Sequence, residues 1–168
     1  MSADPIKLTG EFYPDTIDPM MDAIRASIIN AGAQGTALAE LGEQQVVVVD
    51  PADSDKDIND KIATAMAKTK GLALLLIAGN ATNPQKEAPG PRIQLEIEMQ
   101  LFVSQRIRSK QAIKPMQFVC EIAKHYHRAE VRISGFPWYE NLYFTGFDPL
   151  PDQEFTAFAI RFDREFQL

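Results

Sequence analysis

The side chains of this sequence that could do chemistry are two histidines, one cysteine and a run of aspartates. The histidines, His125 and His127, lie two residues apart near the end of a predicted helix, where such positions do not share a face. The two side chains are therefore badly placed to bind one metal ion together. A pair of surface histidines at the helix end is the simpler interpretation. Cys120 falls on the apolar stripe predicted for the same helix, which indicates packing rather than nucleophilic chemistry.

Five aspartates lie between residues 50 and 60: Asp50, Asp53, Asp55, Asp57 and Asp60. The run lacks the glycine and the terminal glutamate of a calcium-binding EF-hand loop. Turn formation and the benefit of negative charge at a helix N-terminus account for these residues without a ligand. No phosphate-binding glycine loop, nucleophile elbow or His-Glu-x-x-His motif occurs. We therefore expect no catalytic residues, no metal and no cofactor. The sequence predicts a protein that is not an enzyme.

Length and composition are typical of one globular domain, with 168 residues, 45% of them hydrophobic. We expect a single domain over residues 1–168, made of an N-terminal arm over residues 1–16 and an α+β domain over residues 17–168. The single cysteine excludes a disulfide framework within one chain. No signal peptide is recognisable and the apolar runs are too short to span a membrane, so we expect a protein of the reducing cytoplasm without a membrane partner.

The net charge of −6 conceals an uneven distribution. Residues 1–60 hold 12 acidic and 3 basic side chains, whereas residues 61–168 hold 11 acidic and 14 basic ones. An acidic total argues against a protein whose main task is to grip nucleic acid. If the two halves lie on opposite faces, copies of the chain could attract one another head to tail; two solvated faces of uneven charge are the alternative.

Three helices are predicted from apolar residues three or four apart. The first spans Asp18–Ala31, with Asp18 as its cap and Gly32 as its end. The second begins after a capping box formed by Ser54 and Asp57 and ends near residue 68. The third spans 115–127. The predicted buried stripes are Met20 or Met21, Ile24, Ile28 and Ala31; Ile58, Ile62, Ala65 and Met66; and Met116, Val119, Cys120 and Ala123.

Two kinds of strand are predicted, short apolar ones and long alternating ones, and the long alternating strands favour a largely antiparallel sheet. Residues 45–50 are apolar on both faces and predict a central strand, and residues 72–78 predict a second fully apolar strand. Residues 92–103 alternate almost strictly between apolar and polar side chains, with Phe102 among the polar positions, which predicts one long strand. Further strands are predicted at 131–134, 142–147 and 155–166. The sequence therefore predicts an α+β fold: a mixed, largely antiparallel β-sheet with about three helices packed on one face.

The long alternating strand offers the first candidate surface. Its polar positions are Gln94, Glu96, Glu98 and Gln100, all on the side opposite the apolar ones. This face either stays in contact with water or meets a polar partner.

Two loops and a basic stretch offer further candidate contacts. The loop at 80–91 is polar and proline-rich, and the turn at 136–139 carries three aromatic residues that mark an interface or fold back as a minor core. The basic stretch is a candidate docking patch for an acidic neighbour or a solvated loop. The candidate interface residues are Asn80, Asn83, Lys86, Phe136, Trp138 and Tyr139, and the basic residues are Arg106, Arg108, Lys110 and Lys114.

The order of elements resembles that of the tail terminator and tail-completion proteins of tailed bacteriophages, including the Mu-like phages. An N-terminal helix is followed by a strand–helix–strand unit, a proline-rich loop, a long alternating strand ending at Arg106, another helix and C-terminal strands. The nearest points are residues 72–78 leading through the loop into 92–106, and the ending at 155–166. The resemblance covers the chain from about Asp18 onward.

The resemblance implies a structural virion protein without catalytic residues. Such a protein forms a ring, commonly a hexamer, that caps the tail tube and joins it to the head or neck. The implied partners are further copies of the chain, the tail tube protein, the head–tail connector or neck protein, and the sheath protein where the tail is contractile. DNA only passes through the ring, and Gln94, Glu96, Glu98 and Gln100 become candidates for its lumen.

Two other classes of function stay open. The chain could be another neck, baseplate or adaptor protein of a phage, or a small cytoplasmic enzyme or ligand-binding domain with a cleft near the acidic residues. An enzyme would be expected to bring ionisable groups together, whereas the sequence distributes them along faces.

Overall fold

Eight strands and three helices make up the part of the chain that the computed structural model describes. The described residues are 6–12, 17–33, 38–68, 71–82, 92–104, 114–133, 139–152 and 155–167. Within them the strands are β1 (Lys7–Phe12), β2 (Val46–Val48), β3 (Leu72–Thr82), β4 (Arg92–Val103), β5 (Glu130–Ile133), β6 (Tyr139–Asn141), β7 (Tyr143–Leu150) and β8 (Thr156–Gln167). The helices are α1 (Ile17–Ala33), α2 (Asp55–Lys68) and α3 (Pro115–Tyr126).

The strands form two sheets within these ranges. The larger has the order β2-β3-β4-β8-β7, in which β2 and β3 are parallel and every other neighbouring pair is antiparallel. The smaller has the order β1-β5-β6. The predicted class, an α+β fold with a mixed, largely antiparallel sheet, is confirmed.

The alternating sequence of β4 forms a continuous strand in the larger sheet, with one apolar and one polar face. β4 pairs with β8 without irregularity from Arg92, opposite Gln167, to Val103, opposite Thr156. Side chains alternate along a strand, so the apolar set of β4 lies on one face and the polar set on the other. Ile97 and Met99 are fully buried, as are Ile160 and Phe162 of β8 on the same face.

Helices α1 and α3 cover this apolar face. The predicted stripe of α1 is confirmed, because Met20, Met21, Ile24, Ile28 and Ala31 are all buried there. The two helices are also joined directly, since the Tyr126 hydroxyl of α3 donates a hydrogen bond to the Ile24 carbonyl of α1 at 3.2 Å. Burial raises the pKa of Tyr126, so its hydroxyl keeps its proton and remains a donor.

Helix α2 lies on the opposite face, so the prediction that all three helices pack on one face is wrong. Its buried residues Ile62, Ala65 and Met66 pack with Ala73 and Leu75 of β3. The reason is visible in β3, whose residues are apolar on both sides of the sheet: both faces must be covered. Because α2 is the crossover between the parallel strands β2 and β3, it covers the face that α1 and α3 leave open.

Strand β2 is an edge strand of the larger sheet, whereas residues 45–50 were predicted to form a central one. The prediction took two apolar faces as the mark of a central strand. Here helices bury both faces of a strand that has only one neighbour among the described strands of the sheet. Val46 and Val48 pack into the core beneath α1, and Val47 and Val49 pack against the α2 side.

The boundary of α1 and the stripe of α3 also need correction. Helix α1 begins at Ile17, so Asp18 lies in its first turn, and it continues through Gly32. A Cβ at Gly32 would come within 2.8 Å of the Leu38 carbonyl oxygen, so the glycine permits a close approach instead of ending the helix. In α3, Met116 is 43% exposed and Cys120 is exposed. The buried stripe is Phe118, Val119, Ile122 and Tyr126.

Two short strands were not predicted. β1 lies in the segment assigned to an N-terminal arm and pairs in parallel with β5, where Leu8 is opposite Val131 and both are buried. β6 lies in the segment assigned to the aromatic turn and pairs with β5. The arm is therefore in part an integral strand.

Candidate interaction surface

The four polar side chains predicted on β4 lie together on the α2 side of the larger sheet. Gln94, Glu96, Glu98 and Gln100 are all half-buried there, on the same face of β4 as Phe102, which packs with α2. Helix α2 covers only the end of the sheet near Phe102. The end near Gln94 carries a layer of charged and amide side chains instead.

Arg161 of β8 is the centre of this polar layer. Its Nε lies 3.1 Å from Glu98 Oε2 and 3.8 Å from Glu96 Oε1. Its Nη1 pairs with Asp148 Oδ2 of β7. The pKa of Arg161 is raised, first by its hydrogen bond to Asp148 and also by Glu98. One guanidinium of β8 therefore joins three carboxylates from its two neighbouring strands, β4 and β7.

The glutamines complete the layer. Gln94 donates a hydrogen bond from its side-chain amide to Asp163, and Gln100 donates one to Glu98 Oε1 at 2.6 Å. The four polar side chains predicted on β4 thus lie together, and each binds either a neighbour on β4 or a side chain of β8. We call Gln94, Glu96, Glu98, Gln100, Asp148, Arg161 and Asp163 the polar network.

A groove separates α2 from the neighbouring end of the sheet. It has a volume of about 620 Å³ and an apolar floor that includes Ile58, Phe102 and Phe155. Asn59 and Asp152 supply polar groups at its sides. We call this cavity the α2 groove. It lies on the same side of the sheet as the polar network, since Gln100 lines one and belongs to the other.

The side of the molecule that holds α2 is strongly acidic. Ten carboxylates and three cations with described side chains belong to α2, the turn before it, the α2 groove and the polar network. We call this the acidic side. The carboxylates are Asp50, Asp53, Asp55, Asp57, Asp60, Glu96, Glu98, Asp148, Asp152 and Asp163, and the cations are Lys56, Lys61 and Arg161.

A basic surface lies on the other side of the larger sheet. Four exposed cations occur where α3 ends and where β1 and β5 face outward: Lys7, Lys124, Arg128 and Arg132. The same elements hold three acids, Glu11, Glu121 and Glu130, of which Glu121 and Glu130 are half-buried. Helix α1, on the same side of the sheet, carries the exposed Asp18 and Asp22, so the basic charge is confined to this surface and does not extend over the whole side. The two sides do not coincide with the two halves of the sequence, because Glu96, Glu98 and Asp148 join the acidic side.

The aspartate run before and within α2 forms the predicted turn and helix cap. The Asp53 carboxylate accepts a hydrogen bond from the Asp50 backbone N–H at 2.8 Å. The Asp57 carboxylate accepts one from the Ser54 N–H at 2.9 Å, and Ser54 Oγ accepts one from the Asp57 N–H at 3.3 Å. The pKa of Asp53 is lowered by its hydrogen bond with Lys61, and that of Asp57 by its hydrogen bond with Ser54. The capping box is confirmed.

Most of the other candidate contact residues lie outside the described residues. These are Asn83, Lys86, Arg106, Arg108, Lys110, Phe136 and Trp138. Asn80 and Tyr139 belong to β3 and β6 by their backbone. Lys114 is exposed and precedes α3, where its N–H donates a hydrogen bond to Gln117 Oε1 at 3.0 Å.

The two histidines differ in their surroundings, so the prediction of a surface pair is wrong for His125. His127 is exposed, and its Nδ1 accepts a hydrogen bond from the Phe144 N–H at 3.3 Å. His125 is half-buried beside a cleft between α1 and β1 that Lys7, Ser27 and Asn30 also line. Burial lowers the pKa of His125 and outweighs Glu121, which acts in the opposite direction.

Acidification is therefore expected to destabilise the wild type more than a His125→Gln variant. The unfolded chain binds a proton near the ordinary histidine pKa of 6.5, whereas the folded chain binds it only at lower pH. Stability is thus full above that value and declines as the pH falls toward the folded pKa. Between about pH 7.5 and about pH 5.5, the unfolding temperature of the wild type should fall by about 2 °C more than that of the variant. Thermal melts followed by circular dichroism measure this, and equal pH slopes would contradict it.

Comparisons with known proteins do not place the chain in a family: no protein-family model matches it, and neither does any curated protein. Among the described residues, no group of three or more histidine, cysteine, aspartate or glutamate side chains is arranged to hold a metal ion. No helix in the described ranges is long and apolar enough to cross a membrane. What the structure defines is an α+β domain with an acidic side, a basic surface opposite it and an open groove.

Proposed function

We propose that this chain is a structural protein of a tailed phage particle, a terminator-type subunit that forms a ring at the end of the tail tube. The observation that carries the proposal is the separation of charge between the acidic side and the basic surface. In a closed ring, each subunit contacts its neighbour through two different surfaces, which must complement each other. Opposite charges on opposite sides of one subunit provide that complementarity.

The polar network supports a second part of the proposal. The end of the sheet that α2 leaves uncovered carries five carboxylates and amides on β4 and β8 around Arg161. In a ring this surface suits the lumen, because negative charge repels DNA phosphates and gives the passing genome no point of attachment. The α2 end of the same face is then available to the neighbouring subunit. The partners are further copies, the tail tube protein, the connector or neck protein, and a sheath protein in a contractile tail; the proposed location is the virion, with assembly in the host cytoplasm.

The proposal is tested by imaging the assembled particle and by reversing the basic surface. Negative-stain images of particles that contain the protein should show several copies with rotational symmetry, most simply six. Replacing both Lys124 and Arg128 with glutamate should abolish the ring, because acidic surfaces would then face each other. Lys56→Glu, a change of the same sign on the acidic side, is the matched control and should leave the ring intact. A particle with a single copy, or rings that survive the double substitution, would contradict the proposal.

A further inference from the structure

The α2 groove is built to accept a chain segment that combines apolar and cationic side chains. Its floor is apolar, with Ile58, Phe102 and Phe155, and its volume of about 620 Å³ exceeds that of any single side chain. A groove with an apolar floor and few polar groups at its sides is the usual form of a binding site.

Carboxylates border the groove on two sides. Asp55 is exposed and lies one helical turn before Asn59, so both project from the same side of α2. Across the groove, Asp152 lines the wall directly. Asp152 Oδ1 also accepts a hydrogen bond from the Phe155 N–H at 2.9 Å, and its negative charge remains at the groove. An occupant with positive charges at either end of an apolar centre would complement both borders.

The sequence of this chain contains such a segment at residues 105–113, which read Gln-Arg-Ile-Arg-Ser-Lys-Gln-Ala-Ile. Ile107 is flanked by Arg106 and Arg108, and no acid occurs in the segment. Nine residues extend for at most about 30 Å, which is ample to cross a groove of this size. The segment joins Ser104, at the end of β4, to Lys114, before α3, and α3 packs on the face of the sheet opposite the groove.

We propose that the α2 groove binds residues 105–113 of a second copy of this chain, with Ile107 against the apolar floor and the flanking arginines beside the carboxylates. The inference rests on the proposed function, because it names the contact that joins one subunit of the ring to the next. It gives the basic stretch a defined acidic neighbour, and it assigns the α2 end of the sheet to the interface while the polar network stays open.

The test measures binding of a fluorescent peptide of residues 104–114 by anisotropy. The receptor is full-length protein with Arg106→Glu and Arg108→Glu, whose own segment no longer competes for the groove. The peptide should bind this receptor, and adding Asp55→Lys with Asn59→Lys should weaken binding at least about tenfold. The matched control adds Asp60→Lys with Thr64→Lys on the far side of α2, where both residues border a different cleft, and should change affinity less than about twofold. Circular dichroism confirms that each variant is folded.

The wild type then distinguishes a second copy from the chain's own segment. If the occupant comes from another molecule, dilute wild type binds the peptide as well as the receptor variant does, and binding weakens as the protein concentration rises. Weaker binding by the wild type at every dilution would place the chain's own segment in the groove and overturn the proposal. No binding, or equal loss in both lysine variants, would overturn it too. None of these results depends on whether rings are seen in particles, so this contact and the proposed function fail separately.

Discussion

Replacing Phe162 with alanine is expected to lower the free energy of unfolding by about 3–5 kcal/mol, the range for removal of a large buried aromatic side chain. Phe162 is 0% exposed and lies in β8, which has a strand on either side. Its ring packs edge-on against the rings of Tyr126 in α3 and Phe144 in β7, with ring centroids 6.1 Å and 5.8 Å apart. The loss therefore combines a cavity with the loss of two aromatic contacts.

Phe147→Ala provides the matched control for this prediction. Phe147 belongs to the adjacent strand β7 and is 40% exposed, although its ring also contacts another aromatic, Phe158, at 6.2 Å. Its removal should cost less than about 1.5 kcal/mol, because little apolar surface is withdrawn from water there. Urea unfolding followed by fluorescence and circular dichroism measures both values. Similar losses in the two variants would show that β8 is not the centre of the core.

The sequence predicts best where burial repeats regularly along one element. Residues 92–103 alternate with Phe102 as the one apolar residue among the polar positions, and β4 pairs along its whole length with β8. The stripe of α1 is equally well predicted, because its apolar residues follow the helical period and its other side is polar. In both elements the local sequence pattern is compatible with only one choice of buried face.

Prediction fails where the pattern does not say what covers an apolar surface. Residues 45–50 are apolar on both faces, yet β2 is at the edge, since helices cover both sides of it. Likewise, the sequence of α2 shows which stripe is buried but not against which face of the sheet. In α3 the pattern allowed a stripe through Cys120 or one through Phe118, and the larger aromatic side chain is the one that is buried.

The candidate site was predictable on two strands and not on the third. Alternation places Arg161 and Asp163 on one face of β8, and the register shows that this is the face of the polar residues of β4. Asp148 was missed, because the register of β7 against β8 shifts between Phe144 and Gly146 and changes which side chains face the network. Gly146 has a φ of 156°, which glycine adopts easily at such an irregularity.

The second large effect is expected at Arg161. Arg161→Leu should lower the free energy of unfolding by about 2 kcal/mol, within the range for the loss of charged hydrogen bonds that leaves partners unsatisfied. The side chain of Glu98 is only 18% exposed, so water replaces its lost partner incompletely. Glu96, Glu98 and Asp148 would also repel one another once the guanidinium between them is gone.

Three measurements separate this electrostatic effect from a packing effect. In about 1 M salt the loss for Arg161→Leu should shrink, because screening weakens repulsion among partly exposed carboxylates. Glu98→Gln should recover part of the stability in the Arg161→Leu background but reduce it in the wild type. Arg161→Lys keeps the charge but not the planar fork that reaches Glu98 and Asp148 together, so its loss should be intermediate. A loss independent of salt and of Glu98 would show that Arg161 acts only through its aliphatic part. The expected pattern would instead show that Arg161 fixes the acidic side chains in place.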